Sequence, residues 1–427
     1  MSELLLTYYG DDFTGSTDAL EALAANGVSA VLFLRLPGQE DLARFPGCRA
    51  VGLAGVSRSK SPAWMSENLP SAFRRLKELG APLCQYKVCS TFDSSPEIGS
   101  IGRALEIGRQ VFGNPCAPVV VGCPALGRYV LFGHLFARDG AEVYRIDRHP
   151  TMSRHPVTPM LESDLGLHLS RQTELRIGLV DILALRAGKG ESKWEALLRE
   201  GFQVAVFDGL DEDLLVETGR ILWTRPVGAQ MFVVGSSGLD YALMAYWRAA
   251  GLIPEPPEFP DPGPVDRLVV ISGSCSPVTE KQLRWAIANG FVGVPLEPQA
   301  SFEGPRSRAL ESLSAGRSVA LYTALGPGDR RDGVSAERLG ERLGVLLREI
   351  VERCGLRRAV LAGGDTAGYA ARQLGVYALT LLRPLDPGAP LCRAHADEAR
   401  WDGLELVLKG GQIGKEDFFS AVCRGKR

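Results

Sequence analysis

Three short segments in the C-terminal part of the chain carry residue types suited to holding phosphate: Ser272-Gly-Ser-Cys-Ser276, Leu361-Ala-Gly-Gly-Asp-Thr-Ala-Gly368 and Lys409-Gly-Gly-Gln-Ile-Gly414. Gly363 and Gly364 lack a Cβ and let backbone N–H groups approach an anion, and a helix start after them adds partial positive charge. Asp365 has the chemistry to hold the cation that a nucleotide phosphate needs, and Thr366 adds a hydroxyl. In the first segment Ser272, Gly273, Ser274 and Ser276 gather hydroxyls and a glycine ahead of Pro277, which suits a first helical turn. In the third, Lys409 places a cation beside Gly410 and Gly411. Each loop alone also reads as ordinary turn and helix-cap chemistry. Three of them in one half of the chain favour a nucleotide site.

The N-terminal half carries a different chemistry. Gly10-Asp-Asp-Phe-Thr-Gly-Ser-Thr-Asp18 sets two adjacent carboxylates, Asp11 and Asp12, and the hydroxyl of Thr14 ahead of a helix expected over Ala19 to Ala25. Such a loop repels phosphate and accepts hydrogen bonds from sugar hydroxyls, while Ser16 or Asp18 could serve only as a cap. Tyr86-Lys-Val-Cys-Ser-Thr-Phe-Asp-Ser-Ser95 offers Lys87, Ser90, Thr91 and Asp93, with Lys87 able to neutralise a substrate carboxylate. Arg128 ends Gly122-Cys-Pro-Ala-Leu-Gly-Arg128 and has the planar geometry that suits a carboxylate. His149 and His155 stand in a proline-rich loop without the spacing of a helical metal pair, so hydrogen bonding to substrate or to the loop is expected of them.

The elements that must position these residues alternate. Leu4 to Tyr9, Ala30 to Leu34, Ala50 to Ala54, Val119 to Gly122, Leu175 to Val180, Val204 to Asp208 and Met231 to Gly235 read as short apolar strands, and helical stretches separate them. Arg267 to Ile271, Ser318 to Tyr322, Arg358 to Leu361 and Leu404 to Leu408 follow in the same manner. Alternation of this kind predicts an α/β protein with mostly parallel sheets covered by helices on both faces. Pro254 to Pro264 contains six prolines in eleven residues, an extended connector. The expected division is residues 1–253, a linker at 254–264, and residues 265–427, with a ligand cleft between two domains. Ligands of open α/β sheets bind outside the carboxyl ends of the strands, where all three glycine-containing loops fall.

Composition removes several function classes. The chain has 427 residues, 45% hydrophobic and 23% charged, with a net charge of −2, which argues against nucleic acid as the main partner. No apolar run has the roughly 18 or more residues of a membrane span, and the start lacks a basic region or cleavage site, so a cytoplasmic protein with no membrane partner is expected. Nine cysteines without a Cys-x-x-Cys pair read as reduced. Gly414-Lys415 is followed by Glu416, so there is no P-loop, and no Gly-x-Gly-x-x-Gly follows the first strand.

Asp11-Asp-Phe-Thr-Gly15, Lys87 with Ser90-Thr91, Gly127-Arg128 with Gly133, His155-Pro-Val-Thr-Pro159, Gly363-Gly-Asp-Thr366 and Leu408-Lys-Gly-Gly411 occur in the order found in the four-carbon acid sugar kinase family, which the chain resembles over nearly its whole length. The resemblance implies an N-terminal domain for an acid sugar and a C-terminal domain for ATP, with phosphorylation of the terminal hydroxyl of threonate, erythronate or 3-oxo-tetronate. It implies Asp11, Asp12, Thr14, Lys87, Ser90, Thr91, Arg128 and His155 on the sugar side, where Asp93 is a candidate by its own chemistry. On the nucleotide side it implies Gly363, Gly364, Asp365, Thr366, Lys409, Gly410 and Gly411, which the loop of Ser272, Gly273, Ser274 and Ser276 joins by its residue types. Asp365 would hold Mg2+, and Asp12 would orient the hydroxyl or accept its proton, a role that Asp11 and Asp93 share as alternatives and that Asp365 could approach. Many family members have Lys-x-Asp-Ser-Thr-Leu-Arg-Gly where this chain has Lys87-Val-Cys-Ser-Thr-Phe-Asp-Ser94, so the sugar-binding wall differs. A non-catalytic sensor, or an isomerase-like enzyme on a phosphorylated sugar, stands as the alternative, and a homo-oligomer stays open.

Overall fold

The computed structural model describes residues 3–155, 157–225, 228–329 and 333–426, and leaves the side chain of Asp365 outside that description. The chain divides into two compact units. One comprises Met1–Asp11, Ala22–Ala30 and Leu36–Pro256; the other comprises Asp12–Glu21, Val31–Arg35 and Pro257–Arg427. Asp11 and Asp12 therefore belong to different units.

The first unit is built on β1 (Leu6–Gly10), β3 (Ala50–Ala54), β4 (Leu83–Lys87), β5 (Ala117–Val120), β9 (Ile177–Val180), β10 (Val204–Phe207) and β11 (Met231–Gly235); the short β2 (Ala30–Phe33) is shared with the second unit. Their order is β3-β1-β4-β11-β5-β10-β9, parallel throughout. Helices on both faces of such a sheet leave its strands no solvent face, and β1, β3, β4, β5, β10 and β11 are buried along their full length. The chain leaves β1 for β3 on one side and for β4 on the other, so the topological switch point lies at the ends of β1 and β4, which carry Asp11 and Lys87. A separate antiparallel meander, β6 (Arg128–Leu131), β7 (His134–Asp139) and β8 (Glu142–Arg145), was not expected from the sequence. Its first turn holds Phe132 at φ +49° and Gly133 at φ +78°, the primed turn that a two-residue hairpin needs.

The second unit contains β12 (Val269–Ser272), β13 (Val292–Pro295), β14 (Val319–Tyr322), β15 (Arg358–Ala362), β16 (Val376–Asp386), β17 (Ala389–Ala396) and β18 (Glu405–Lys409). The order is β13-β14-β12-β15-β18-β17-β16, parallel from β13 to β18 and antiparallel beyond, with Leu32 and Phe33 of β2 paired to β16. Val270, Val360, Val407, Leu283 and Phe418 share one buried core, and each such side chain contributes roughly 1.5–3 kcal/mol by leaving water. At the opposite end of the strands from the loops, Arg358 is fully buried and bonds Glu405 at 2.5 Å and the carbonyls of Val422 and Gly263 at 2.6 and 3.0 Å. Here the switch point falls between β12 and β15, at the Ser272 and Gly363 loops. Among the described residues no helix is long and apolar enough to cross a membrane.

Candidate active site

In the first unit Asp11 follows β1 directly, and its N–H donates to the Lys87 carbonyl at 2.9 Å. Its carboxylate accepts from Arg58 Nε at 3.0 Å and Nη2 at 2.7 Å, a two-pronged pair that fixes both planes. Arg58 is held in turn by its short turn Ser57–Ser59: Ser57 Oγ lies 2.8 Å from the Tyr86 hydroxyl, and Tyr86 stacks on Tyr9 at 5.9 Å. Sequence reading missed Arg58. The only signal was a basic residue four positions after a buried strand at what proves to be the switch point.

Asp93 joins this cluster. Thr91 Oγ1 donates to its Oδ1 at 2.5 Å, and Thr158 Oγ1 lies 3.4 Å from its Oδ2. Burial raises the Asp93 carboxyl, but the Arg58 guanidinium, the Thr91 hydroxyl and His155 outweigh it and hold the group below the usual carboxylate range. Phe92, between them, is fully buried with φ +57°, a conformation uncommon for a bulky residue and one that turns Thr91 and Asp93 into their bond. His155 Nδ1 accepts from the Thr158 N–H at 3.1 Å, with Pro156 of that motif outside the described residues. Lys87 is buried with its ammonium on the Val88 carbonyl at 3.3 Å, and Ser90 is partly buried. Arg128 does not belong to this group of contacts: its guanidinium donates to the carbonyls of Leu126, Gly127 and Arg138 at 2.8, 3.3 and 3.4 Å. His149 braces its own loop, accepting from the N–H groups of Thr151 and Met152 at 3.2 Å.

In the second unit the three glycine-containing loops lie on adjacent parallel strands and interlock. Gly273 N–H donates to the Ala362 carbonyl and Gly363 N–H to the Lys409 carbonyl, both at 2.9 Å. Gly363 has φ +140°, and a Cβ there would lie 2.3 Å from Thr366 Oγ1 and 3.5 Å from the Ser274 nitrogen, so only glycine fits. Gly411 packs on the first loop, its missing Cβ 2.9 Å from Ser274 Oγ. Ser274 Oγ accepts from the Ser276 N–H at 3.2 Å, and Ser276 caps the helix Pro277–Ala288 by accepting from Val278 at 3.2 Å. Ser272 is fully buried, and its hydroxyl accepts from the Ser274 N–H at 3.3 Å. Gly364 is exposed and opens the helix Asp365–Arg372. Lys409 is fully buried; its ammonium donates to Gly410 O at 2.7 Å, Thr279 Oγ1 at 3.1 Å and Gly411 O at 3.4 Å. Burial pushes this lysine down to about 7, against the opposing charge of Asp386.

The helix expected from Ala19 begins at Phe13 instead, because Asp12 itself caps it. Asp12 Oδ1 accepts from the Gly15 N–H at 2.7 Å and Oδ2 from Thr14 Oγ1 at 3.0 Å, so neither Ser16 nor Asp18 serves as the cap. This first turn packs among the loops of the second unit. A Cβ on Gly410 would lie 3.8 Å from Thr14 Oγ1, and one on Gly368 would meet the Phe13 ring at 2.7 Å. Glu21, at the far end of the same segment, accepts from the Gly388 N–H at 2.8 Å in the turn after Asp386. Thr14, bonded to Asp12, thus stands beside the third loop, while Asp11 stands with Arg58. Among the described residues no group of three or more histidines, cysteines, aspartates or glutamates is arranged to hold a metal ion; the Asp365 carboxylate lies outside that description.

Known proteins match the chain in two regions, and the segments Asp12–Glu21 and Val31–Arg35 of the second unit fall within the first of them. Residues 6–243 match the model of a sugar-binding N-terminal domain, and residues 269–419 that of a nucleotide-binding C-terminal domain. The 3-oxo-isoapionate kinase of Paraburkholderia graminis is 48% identical over an alignment covering 99% of this chain and 95% of that protein. The 3-oxo-tetronate kinase of Cupriavidus necator is 30% identical, covering 98% of this chain and 96% of its own. A crystal structure from Salmonella typhimurium LT2 superposes with a TM-score of 0.79 at 26% identity, covering all of both chains. A sheet order with two switch points, a carboxylate cluster at one and interlocked glycine loops at the other thus accompany full-length similarity, and the chain belongs to the four-carbon acid sugar kinase family.

Proposed function

We propose that the protein transfers the γ-phosphoryl group of ATP to the terminal hydroxyl of an acid sugar of the 3-oxo-isoapionate or 3-oxo-tetronate type. Residues 1–253 take the sugar, residues 265–427 take ATP, and 254–264 link them. The observation that carries this reading is the placement of Thr14, whose hydroxyl bonds Asp12, beside Gly410, within the unit that holds the three interlocked loops. A carboxylate oriented by two donors next to an N–H-rich phosphate cradle is what a hydroxyl acceptor requires, since phosphoryl transfer depends on positioning and charge neutralisation.

In this reading Ser274, Ser276, Gly363, Gly364, Thr366, Gly410 and Gly411 cradle the phosphates, with Ser272, Gly273 and Lys409 behind them. Asp365, at the start of a helix facing the same loops, is the residue that would hold Mg2+, whose contribution when bound is to neutralise phosphate charge. Asp12 orients the sugar hydroxyl and accepts its proton. Asp11, Thr91, Asp93 and His155, locked around Arg58, recognise the sugar's hydroxyls, and Lys87, at the end of β4 beside Asp11, is the cation assigned to its carboxylate, while Arg128 stays with the carbonyls of its own loop. The test is ADP release from Mg-ATP in the presence of a panel of 3-oxo acid sugars and tetronates. ADP formation dependent on one of them supports the reading; ATP binding without ADP formation from any member overturns it for that class.

A further inference from the structure

We infer that Lys409 is a positioning residue that acts on the nucleotide through the carbonyls of Gly410 and Gly411 rather than by touching phosphate. The inference rests on the nucleotide reading of the second unit and concerns how its third loop is shaped.

An ammonium carries three donors and no acceptor. Those of Lys409 meet three protein oxygens, Gly410 O, Gly411 O and Thr279 Oγ1, and the side chain has no exposed surface. Thr279 Oγ1 passes its own proton to Gly411 O at 2.8 Å, so lysine and threonine pull on the same carbonyl. One helical turn further along Pro277–Ala288, Gln282 is also fully buried, and its Nε2 lies 3.0, 2.9 and 3.0 Å from the carbonyls of Ile413, Gly414 and Lys415. Five loop carbonyls are therefore drawn inward by three side chains, one from the end of β18 and two from one helix.

In a trans peptide the N–H points opposite to the carbonyl of the same unit. Drawing in Gly410 O and Gly411 O turns the N–H groups of Gly411 and Gln412 outward, and drawing in Ile413 O does the same for Gly414. Among the described residues no backbone bond uses these three N–H groups, whereas that of Lys415 is taken by Asp386 at 3.0 Å. An outward row of N–H groups whose carbonyls are held from behind by Lys409 is an anion cradle, with specificity for phosphate in the backbone and the lysine as its scaffold. A lysine on the phosphate itself would require its ammonium to leave all three carbonyl and hydroxyl partners.

The test is a double-mutant cycle on the full chain, with ATP and ADP affinities read by calorimetry. Lys409→Met and Thr279→Val share Gly411 O, so their effects are coupled and not multiplicative. Lys409→Met is expected to weaken ATP and ADP by equal factors, about tenfold or more; Thr279→Val weakens both by about threefold to tenfold; and the double variant matches Lys409→Met within about twofold. Loss of ATP affinity at least tenfold greater than loss of ADP affinity, or a double variant equal to the product of the singles, overturns the inference. Hydrogen exchange supplies a second reading that does not need Lys409→Met to fold: in Thr279→Val the bonded amides of Ile413 and Lys415 exchange faster, and unchanged exchange at both overturns the inference. Absence of ATP binding by the unaltered protein would instead remove the nucleotide reading itself, an outcome visible before any variant is made.

Discussion

Gly364→Ala separates a phosphate site from a mere helix start. Gly364 has φ −63° and ψ −88°, at the margin of what alanine adopts, and a Cβ built on it meets nothing within 4 Å. The substitution should therefore cost only about 1 kcal/mol of stability, through this backbone angle alone and without a clash. Its methyl group, however, stands in the open space before the helix Asp365–Arg372, where a phosphate oxygen must come to meet the N–H groups. A hydrogen bond to a charged group contributes about 1.5–3 kcal/mol, so displacing one such bond weakens ATP binding roughly 10- to 150-fold. Gly363→Ala is the contrasting control. With φ +140° and a Cβ 2.3 Å from Thr366 Oγ1, it strains the backbone by about 1–3 kcal/mol and lowers the melting temperature as well as affinity. Calorimetric titration with ATP, beside thermal melts of both variants, gives the two numbers. Gly364→Ala that stays folded and binds ATP within threefold of the parent refutes the assignment of this space to phosphate.

Asp12→Asn keeps a good helix cap, so ATP affinity and melting temperature should hold while turnover falls about 10²- to 10⁴-fold, the usual contribution of a proton acceptor; unchanged turnover removes Asp12 from the chemistry. Burial pushes the Glu21 carboxyl up to about 8, with Asp18 and Asp386 adding to the rise against the Gly388 N–H. A raised acid leaves the folded state with the extra proton, so stability is fullest below about 4.5 and is lost as pH climbs toward 8, at about 1.4 kcal/mol per unit while the folded form alone is protonated. Glu21→Gln should flatten that loss in denaturant titrations run from pH 5 to 8, and a slope equal to the parent's counts against it. Arg358→Ala leaves Glu405 with Arg357 alone at 3.4 Å and leaves the buried carbonyls of Val422 and Gly263 without this donor, with an expected loss of about 3–5 kcal/mol and a melting temperature lower by about 6–20 °C; a shift under 2 °C would show that the network contributes little.

What the sequence made legible follows from which forces are local. Apolar runs such as Ala50–Ala54 and Met231–Gly235 are buried on both faces of a parallel sheet, so their composition alone marks them, and glycine loops at strand ends announce themselves by residue type. The hairpin of β16 and β17 was not marked, because Arg383, Pro384 and Arg393 interrupt the alternation and tertiary pairing with β18 and β2 supplies what propensity does not. The start of the helix at Phe13 was hidden for a related reason: Phe13-Thr-Gly-Ser-Thr has poor helix formers, and the Asp12 cap together with the packing of Phe13 on Gly368 overrides them.

Arg58, Thr279 and Gln282 could not be found from motif spacing, since their partners lie 47, 132 and 131 residues away along the chain. Their common property is physical: each is a polar side chain that a strand end or helix face buries against backbone or carboxylate acceptors. The residues that sequence reading singled out are those whose types suit a ligand; the residues it missed are those that hold the first set in place. That division explains why Asp11 and Asp12, adjacent and chemically identical in sequence, separate in structure. Arg58 claims the first for the carboxylate cluster at the end of β1, and the N–H of Gly15 claims the second for the helix that packs on the Gly410 loop. A single peptide bond thus carries the chain from the first unit into the second.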